Sequence, residues 1–221
     1  MSTRLNILGV GVSVLDIPRA LQTIDHWIDA GEKRYVCVSG VHGVIESQKD
    51  LRLRRIHNQA GLVTPDGMPL VWLSRLHGYP QAQRVYGPDL MLALCEHSLQ
   101  RHYRHYLYGG APGVPEALAE RLTARFPGLI IAGMYSPPFR PLSEDEDRQV
   151  VAAINASRAD IVWVGLSTPK QEYWMDAHRP KLEAPVLIGV GAAFDFHAGR
   201  QPQAPLWMPR NGLEWLFRLL S

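Results

Sequence analysis

Asp66 is the residue of this sequence best suited to carry out chemistry. It follows the apolar run that ends at Thr64 and Pro65, and a second apolar stretch begins at Met68. A carboxylate at such a junction can accept the proton of a hydroxyl group that attacks an electrophile, which is general-base catalysis. Asp-Gly pairs also form turns with a purely structural role, so the sequence alone leaves both interpretations open.

A second polar segment, Ser39-Gly40-Val41-His42, follows another apolar run. His42 is the alternative candidate for the base, because histidine exchanges protons near neutral pH. A histidine at the start of a helix can equally have a structural role, and the sequence does not separate the two. Ser39 and Gly40 stand at the same junction and are candidates for substrate binding.

The segment Ser167-Thr168-Pro169-Lys170-Gln171-Glu172 predicts a turn that leads from a buried strand into a helix. Ligands of open α/β sheets bind where strands end and helices begin, and the first N–H groups of a helix attract anions. Gln171 and Glu172 would then lie where a phosphate-bearing substrate binds. An ordinary strand-to-helix loop, with proline at the first helical position, is the alternative.

Glycine-rich segments end two further apolar runs, at Gly109-Gly110 and at Gly189-Val190-Gly191. Glycine lets a backbone approach a ligand closely, and the N–H groups of such turns are predicted to hold the phosphate of a ligand. Close packing of strand and helix is an equally good explanation of the second segment. Tyr135 ends another run and is predicted to stack on a ring of the ligand, although a tyrosine in a loop is as often structural. Asp195 completes the candidates for substrate binding.

Several other kinds of site are excluded. The first glycine segment lacks the complete GxGxxG pattern of a dinucleotide site, and no GxSxG motif is present. No His/Cys spacing suggests zinc. No DxD pair of the type that holds a metal against a diphosphate is found, since the acids at 145–147 belong to the start of a helix, where they suit the helix dipole. A formal charge of +2 is too small to indicate nucleic acid binding. We therefore expect no metal, no cofactor and no nucleic acid.

The elements that position these residues alternate between strand and helix. Strands are predicted at 35–38, 61–63, 105–108, 129–134, 161–164 and 186–190, after a short strand pair within 5–15. Helices are predicted from Ile17 and at 41–49, 51–59, 69–76, 90–98, 114–126, 144–157 and 171–177. This order favours a single Rossmann-like α/β domain over residues 1–221, with a mostly parallel sheet flanked by helices.

The composition indicates a globular protein that works in a reducing compartment. Hydrophobic residues make up 46% of the 221 residues and charged residues 20%. Cys37 and Cys95 lie in apolar surroundings and are predicted to be buried free thiols. The N-terminus does not resemble a signal peptide, and no apolar run approaches the roughly 20 residues needed to cross a bilayer. We expect a cytoplasmic location.

Taken together, these segments resemble the WecG/TagA/CpsF glycosyltransferases (family 26). The resemblance extends from Leu5 to Ser221 and rests on five motifs in order. These are Val63-Thr64-Pro65-Asp66-Gly67-Met68-Pro69-Leu70-Val71-Trp72, Arg84-Val85-Tyr86-Gly87-Pro88-Asp89-Leu90, Gly165-Leu166-Ser167-Thr168-Pro169-Lys170-Gln171-Glu172, Gly189-Val190-Gly191-Ala192-Ala193-Phe194-Asp195, and Ala204-Pro205 with Leu213-Glu214-Trp215-Leu216-Phe217-Arg218-Leu219.

The resemblance implies a metal-independent, inverting transfer of a sugar from a UDP-sugar to a polyprenyl-diphosphate-linked saccharide at the inner membrane face. Asp66 matches the catalytic base proposed for the family, Arg84 the arginine of its R-V-x-G motif, and Gln171 the glutamine of P-K-Q-E. Many members carry asparagine where this chain has Gly40, and others have threonine where it has Val38. Acceptor positioning is therefore expected to differ here.

Two other functions remain as alternatives. A non-catalytic nucleotide-sugar binding protein of the same fold is compatible with the Gly40 difference. A nucleotide-dependent oxidoreductase is disfavoured by the incomplete glycine fingerprint.

The last residues predict an amphipathic helix over 211–220 that stops without a capping signal. Related proteins continue with a basic, aromatic tail that is thought to touch the membrane. We expect either a shortened chain or a short natural variant, with weak peripheral membrane association, low activity and a tendency to form homo-oligomers.

Overall fold

The computed structural model describes residues 3–201 and residue 208, so the helix predicted over 211–220 lies outside the described part. The strands are β1 (Arg4–Ile7), β2 (Val10–Ser13), β3 (Arg34–Ser39), β4 (Leu62–Pro65), β5 (Arg104–Gly109), β6 (Ile130–Tyr135), β7 (Ile161–Gly165) and β8 (Val186–Gly189). The helices are α1 (Ile17–Asp29), α2 (Val41–Lys49), α3 (Leu51–Gln59), α4 (Met68–Leu76), α5 (Gly87–Arg101), α6 (Val114–Arg125), α7 (Glu144–Ala156), α8 (Lys170–His178) and α9 (Ala193–His197).

The predicted parallel sheet is confirmed. Six strands pair in the order β4-β3-β8-β7-β5-β6, and every pairing is parallel. The central strand β7 has no exposed residue from Ile161 to Val164, as expected for a strand covered by helices on both faces. β1 and β2 form the separate antiparallel pair that the sequence predicted.

Each face of the sheet has its own apolar core, because side chains alternate along a strand. Trp163 lies in the core that is covered by α1, α5, α6 and α9. Its neighbours Val162 and Val164 lie in the other core, which is covered by α2, α3, α4, α7 and α8. Both cysteines are buried free thiols, as predicted.

Three elements differ from the sequence prediction. The prediction ended β4 at Val63, but the strand continues to Pro65, because its pairing with β3 persists to Ser39. Helix α5 starts at Gly87 rather than Leu90, with Pro88 in its first turn, where a missing N–H is tolerated. The residues of α9 were predicted to belong to the glycine-rich turn after β8, but they form a short helix. Five residues are too few to show helical periodicity in the sequence.

The topology opens crevices at the carboxyl edge of the sheet. From β3 across β8, β7 and β5 to β6, the helices that follow neighbouring strands lie on opposite faces. Ligands of open α/β sheets bind outside the strand ends at such positions. Within the described ranges, no helix combines the length and the hydropathy needed to cross a membrane.

Candidate active site

Two cavities occupy these crevices. The first, of about 620 Å³, has Gly40, His42, Asp66, Arg84, Gln171 and Gly191 among its lining residues, and we call it the Asp66 cavity. The second, of about 930 Å³, has Gly110, Phe139, Arg140, Lys170, Trp174 and Asp195 in its lining, and we call it the loop cavity. Ser167, in the turn between β7 and α8, lines both of them. The two cavities therefore meet at this turn.

The backbone of the neighbouring elements fixes the Asp66 side chain. The N–H of Gly87, at the start of α5, donates to Asp66 Oδ1 over 3.0 Å. The N–H of Asp66 donates to the Ser39 carbonyl over 3.1 Å, which places the end of β4 beside the end of β3. A Cβ at Gly40 would lie 3.9 Å from Asp66 Oδ2, so position 40 places no side chain over the carboxylate. A base with a fixed orientation is what general-base catalysis requires.

Arg84 supports the same carboxylate-bearing turn from the loop that precedes α5. Its Nε donates a short hydrogen bond to the Asp66 carbonyl, and its guanidinium lies 4.0 Å from the centre of the Tyr86 ring. The guanidinium lines the Asp66 cavity, where a planar cation suits a phosphate group. Asp66 and Arg84, which come from two separate motifs, therefore lie in contact at the same cavity.

The residues of the Ser39-Gly40-Val41-His42 segment lie partly in the lining of the Asp66 cavity and partly behind it. Gly40 is the N-cap residue of α2, and His42 lies in the first turn of that helix, exposed in the Asp66 cavity. Ser39 is buried behind the wall, and its hydroxyl is 3.4 Å from the Gly40 carbonyl. His42 thus shares a cavity with Asp66 and stays the alternative base.

Gln171 ties the start of α8 to the turn after β8. Its Oε1 accepts the N–H of Gly191 over 2.9 Å, and its Nε2 donates to Glu172 Oε1 over 3.2 Å. The side chain is 2% exposed yet lines the Asp66 cavity. Gly189 is needed for this packing, since a Cβ there would meet Met175 Cε at 2.8 Å and Gln171 Cδ at 3.1 Å. The glutamine of the P-K-Q-E segment is therefore a structural clamp as well as a wall residue.

Glu172 is placed differently from its neighbour. It is fully buried, its Oε1 accepts from Thr168 Oγ1 over 3.0 Å, and its Oε2 has no hydrogen-bond partner. Burial raises the pKa of this carboxyl, against the hydrogen bonds from Gln171 and Thr168 and the nearby His42, which lower it. Glu172 lines neither cavity, and its bond to Thr168 supports the turn between β7 and α8.

The glycines of β5 act in two ways. Gly109 has φ +128°, and a Cβ there would collide with the Gly165 carbonyl, so this glycine lets β5 and β7 approach closely. Gly110 lines the loop cavity, and its carbonyl accepts from Ser136 Oγ over 2.7 Å. That bond ties the proline-rich loop, predicted at 135–141 and found without helix or strand from 136, to the glycine turn.

The prediction that the N–H groups of both glycine turns hold the phosphate of a ligand stays a prediction, and two of these N–H groups have partners within the chain. The Gly110 N–H donates to the Gly165 carbonyl over 3.0 Å. The Gly191 N–H donates to Gln171 Oε1 over 2.9 Å. Both donors are already used within the chain. Arg84 lines the Asp66 cavity and Lys170 lines the loop cavity, so each brings a positive charge to a cavity wall.

Aromatic rings form the inner wall of the loop cavity. Tyr108 and Trp174 stack at 4.2 Å between ring centres, and both line the cavity. Tyr135 stacks behind them on Tyr108 at 6.0 Å and belongs to the wall rather than to the lining. Sequence reasoning selected Tyr135 and missed Trp174, although this tryptophan follows Lys170 by one helical turn and shares its side of α8.

The predicted site residues thus separate into three groups. The Asp66 cavity brings together Asp66, His42, Arg84, Gly40, Gln171 and Gly191. The loop cavity takes Gly110 and Asp195, and the residues behind the walls are Ser39, Gly109, Tyr135, Glu172 and Gly189. Among residues 3–201 and 208, no group of three or more His, Cys, Asp or Glu side chains is arranged to hold a metal ion.

In an open parallel α/β sheet, cavities at the carboxyl edge are where ligands bind, and here one of them has a fixed carboxylate in its wall. Residues 5–221 match the model of the glycosyl transferase WecG/TagA/CpsF family. The chain belongs to this family, which confirms the resemblance drawn from its motifs.

Relatives with known activities are similar along most of their length. An N-acetylglucosaminyldiphosphoundecaprenol N-acetyl-beta-D-mannosaminyltransferase of Bacillus spizizenii is 31% identical over 195 residues, which cover 88% of this chain and 74% of the relative. A protein of the same name from Bacillus subtilis is 30% identical over 217 residues, with 94% and 82% covered. One from Staphylococcus aureus is 31% identical over 163 residues, with 74% and 62% covered.

Proposed function

We propose that the chain transfers an N-acetylhexosamine, with inversion, from a UDP-sugar to a polyprenyl-diphosphate-linked saccharide. The names of the relatives, which describe transfer of N-acetylmannosamine to a lipid-diphosphate-linked N-acetylglucosamine, support this class of acceptor. The observation that carries the proposal is the Asp66 carboxylate, held by the Gly87 N–H at the wall of a 620 Å³ cavity. The enzyme would work in the cytoplasm, in peripheral contact with the inner membrane face.

The reaction follows from the position of Asp66. The carboxylate takes the proton of an acceptor hydroxyl as the hydroxyl oxygen attacks the anomeric carbon of the donor. The bond between that carbon and the β-phosphate oxygen breaks, and UDP departs with the bonding electrons. Attack from the side opposite the leaving group inverts the anomeric centre, so one base and no covalent intermediate suffice.

The donor would extend across both cavities. Its uridine would occupy the loop cavity, against the aromatic wall and near Asp195, and its sugar would enter the Asp66 cavity. The diphosphate then lies at the Ser167 turn, which the two cavities share. Lys170 on one side and Arg84 on the other supply positive charge there, and stabilise the departing diphosphate electrostatically.

A transfer assay tests this function. The full chain is incubated with radiolabelled UDP-N-acetylglucosamine, UDP-N-acetylmannosamine, UDP-glucose or UDP-glucuronate and a short-chain lipid-diphosphate saccharide. We expect one N-acetylhexosamine donor to give product with inverted configuration by NMR, and EDTA to leave UDP affinity unchanged. Binding of UDP in calorimetry without transfer from any donor would favour a non-catalytic nucleotide-sugar binding protein. A strict need for Mn²⁺ or Mg²⁺ would contradict the role given to Lys170 and Arg84.

A further inference from the structure

Helix α4 has an apolar outer face in addition to its buried face. Leu70, Val71 and Ser74 point into the core. On the opposite side, Pro69, Trp72, Leu73 and Leu76 recur at the i, i+3, i+4, i+7 spacing of a helical stripe, and all four are exposed. We call this stripe the α4 outer face. Trp72 is 49% exposed, Leu73 37% and Leu76 81%. A surface helix normally has a polar outer side, so an apolar one indicates a contact surface.

The α4 outer face adjoins the Asp66 cavity. Met68 and Pro69, the first residues of α4, line that cavity. Across it, the first turn of α2 also lines the cavity and adds Val41, 42% exposed, followed one turn later by Ile45, 41% exposed. Exposed apolar side chains therefore lie on both sides of the entrance to the cavity. Such a cluster calls for an explanation, whereas a single exposed apolar side chain is normal on a protein surface.

The charge of this region identifies the kind of partner. From Gly67 to Pro88 the sequence contains no acidic residue, whereas Arg75, His77 and Arg84 are basic. Arg75 and His77 are exposed at the end of α4. An apolar stripe with tryptophan and a basic flank has the chemistry of a surface that lies in the headgroup region of an anionic bilayer. A protein partner would have to be both apolar and acidic at the same place.

We propose that the α4 outer face is the surface with which this chain docks on an anionic phospholipid bilayer. This inference rests on the proposed function, because a lipid-linked acceptor can then reach Asp66 without leaving the membrane. Trp72 and Leu76 enter the interfacial layer, and Arg75 and His77 meet the headgroup phosphates. The docking surface thereby sets the direction from which the acceptor diphosphate enters the cavity.

Co-sedimentation with vesicles tests the docking surface. The full chain is compared with Trp72→Gln/Leu76→Gln on vesicles of phosphatidylcholine with phosphatidylglycerol, and on phosphatidylcholine alone. We expect the double variant to bind the anionic vesicles at least about tenfold more weakly, because it loses most of the apolar area that inserts. Leu8→Gln is the matched control. Leu8 is 59% exposed, and its carbonyl is bonded to Gln48 near the far end of α2, so this change should leave binding unaltered.

Two further measurements separate this proposal from the proposed function. Trp72→Phe should keep vesicle binding and reduce the blue shift of tryptophan fluorescence that accompanies it. The double variant should keep its far-UV spectrum and its turnover on a water-soluble acceptor, but lose turnover on an acceptor embedded in vesicles. If the wild-type chain transfers no sugar while the double variant still loses vesicle binding, the function fails and the docking surface stands.

Three results would overturn the docking surface itself. The wild-type chain would fail to bind anionic vesicles, or the double variant would bind them as tightly as the wild type. Alternatively, light scattering would show that the wild type is a dimer and the double variant a monomer, with equal vesicle binding by both. That last result would assign the α4 outer face to a second copy of the chain.

Discussion

The two cavities at the sheet edge are built in different ways. The Asp66 cavity is lined by residues at strand ends and helix starts, and hydrogen bonds from Gly87 and Gly191 fix its main polar side chains, Asp66 and Gln171. The loop cavity is closed on its outer side by the irregular loop 136–143, where Phe139 is 93% exposed. Bond-making requires atoms held to within a fraction of an ångström, whereas recognition tolerates adjustment. We therefore propose that the chemistry takes place in the first cavity and donor recognition in the second.

Substitution of one aspartate in each cavity tests this division most directly. Asp66→Asn still accepts the Gly87 N–H but cannot take a proton, so we expect a rate of transfer about 10²- to 10⁴-fold lower with donor binding nearly intact. Asp195→Asn in the loop cavity should instead raise the KM for the donor a few-fold and leave kcat almost unchanged. Steady-state kinetics with a native-type acceptor measure both.

Two outcomes would contradict the assignment. Near-full turnover by Asp66→Asn would move the role of base to His42, which His42→Ala in the same assay would then reveal. A loss of kcat in Asp195→Asn as large as that in Asp66→Asn would show that the loop cavity takes part in the chemistry, and the division between the cavities would be wrong.

Most of the fold was predictable from the sequence, because each long element has a strong local signal. Helices α2 and α3 match their predicted bounds, and the strand-helix alternation after Tyr103 indicated the parallel sheet. The prediction fell short where long-range contacts decide. β4 gains Thr64 and Pro65 through pairing with β3, and α9 is too short to have a pattern of its own.

The sequence predicted which residues belong to the candidate site better than it predicted how they are arranged and bonded. The motifs identified Asp66, Arg84 and Gln171, which line one cavity. The sequence could not show that the N–H groups of Gly110 and Gly191 are already bonded, because their partners Gly165 and Gln171 lie far along the chain. The same limit applies to the burial of Glu172.

Substitution of Gln171 should have an effect on the transfer rate that is intermediate among the variants proposed here. It tests whether the Asp66 cavity depends on a rigid wall. Gln171→Ala leaves the Gly191 N–H without its partner and removes one of the two side-chain hydrogen bonds to the buried Glu172 Oε1, which we expect to cost about 1–3 kcal/mol of unfolding free energy. The wall of the Asp66 cavity would loosen and transfer would slow by about tenfold, with the domain still folded. Gln149→Ala, an exposed position on α7, is the control for urea unfolding and kinetics. Unchanged kinetics in Gln171→Ala would show that the Asp66 cavity does not depend on a rigid wall.

The smallest expected effect is a difference in pH dependence between Glu172, beneath the Asp66 cavity, and Glu146, beside the loop cavity. Burial raises the pKa of Glu172 above its ordinary value of 4.5, so the folded chain binds more protons than the unfolded chain in that window. The contribution of Glu172 to stability therefore falls as pH rises from 4.5 through the raised pKa.

Glu146 should show the opposite sign. Its carboxylate accepts from the exposed Arg140 guanidinium over 2.7 Å, which lowers its pKa to about 2. Its contribution is present above 4.5 and is lost as pH falls towards 2. Urea unfolding from pH 2 to 8 should show Glu172→Gln gaining stability relative to the wild type as pH rises above 4.5. Glu146→Gln should lose stability relative to the wild type as pH rises from 2 to 4.5, and only slightly, because solvent screens an exposed pair. If the unfolding free energies of the two variants changed with pH in the same way, Glu172 would share the solvated environment of Glu146. The structure beneath the Asp66 cavity would then not be dry and fixed, and the chemical role proposed for this cavity depends on such a structure.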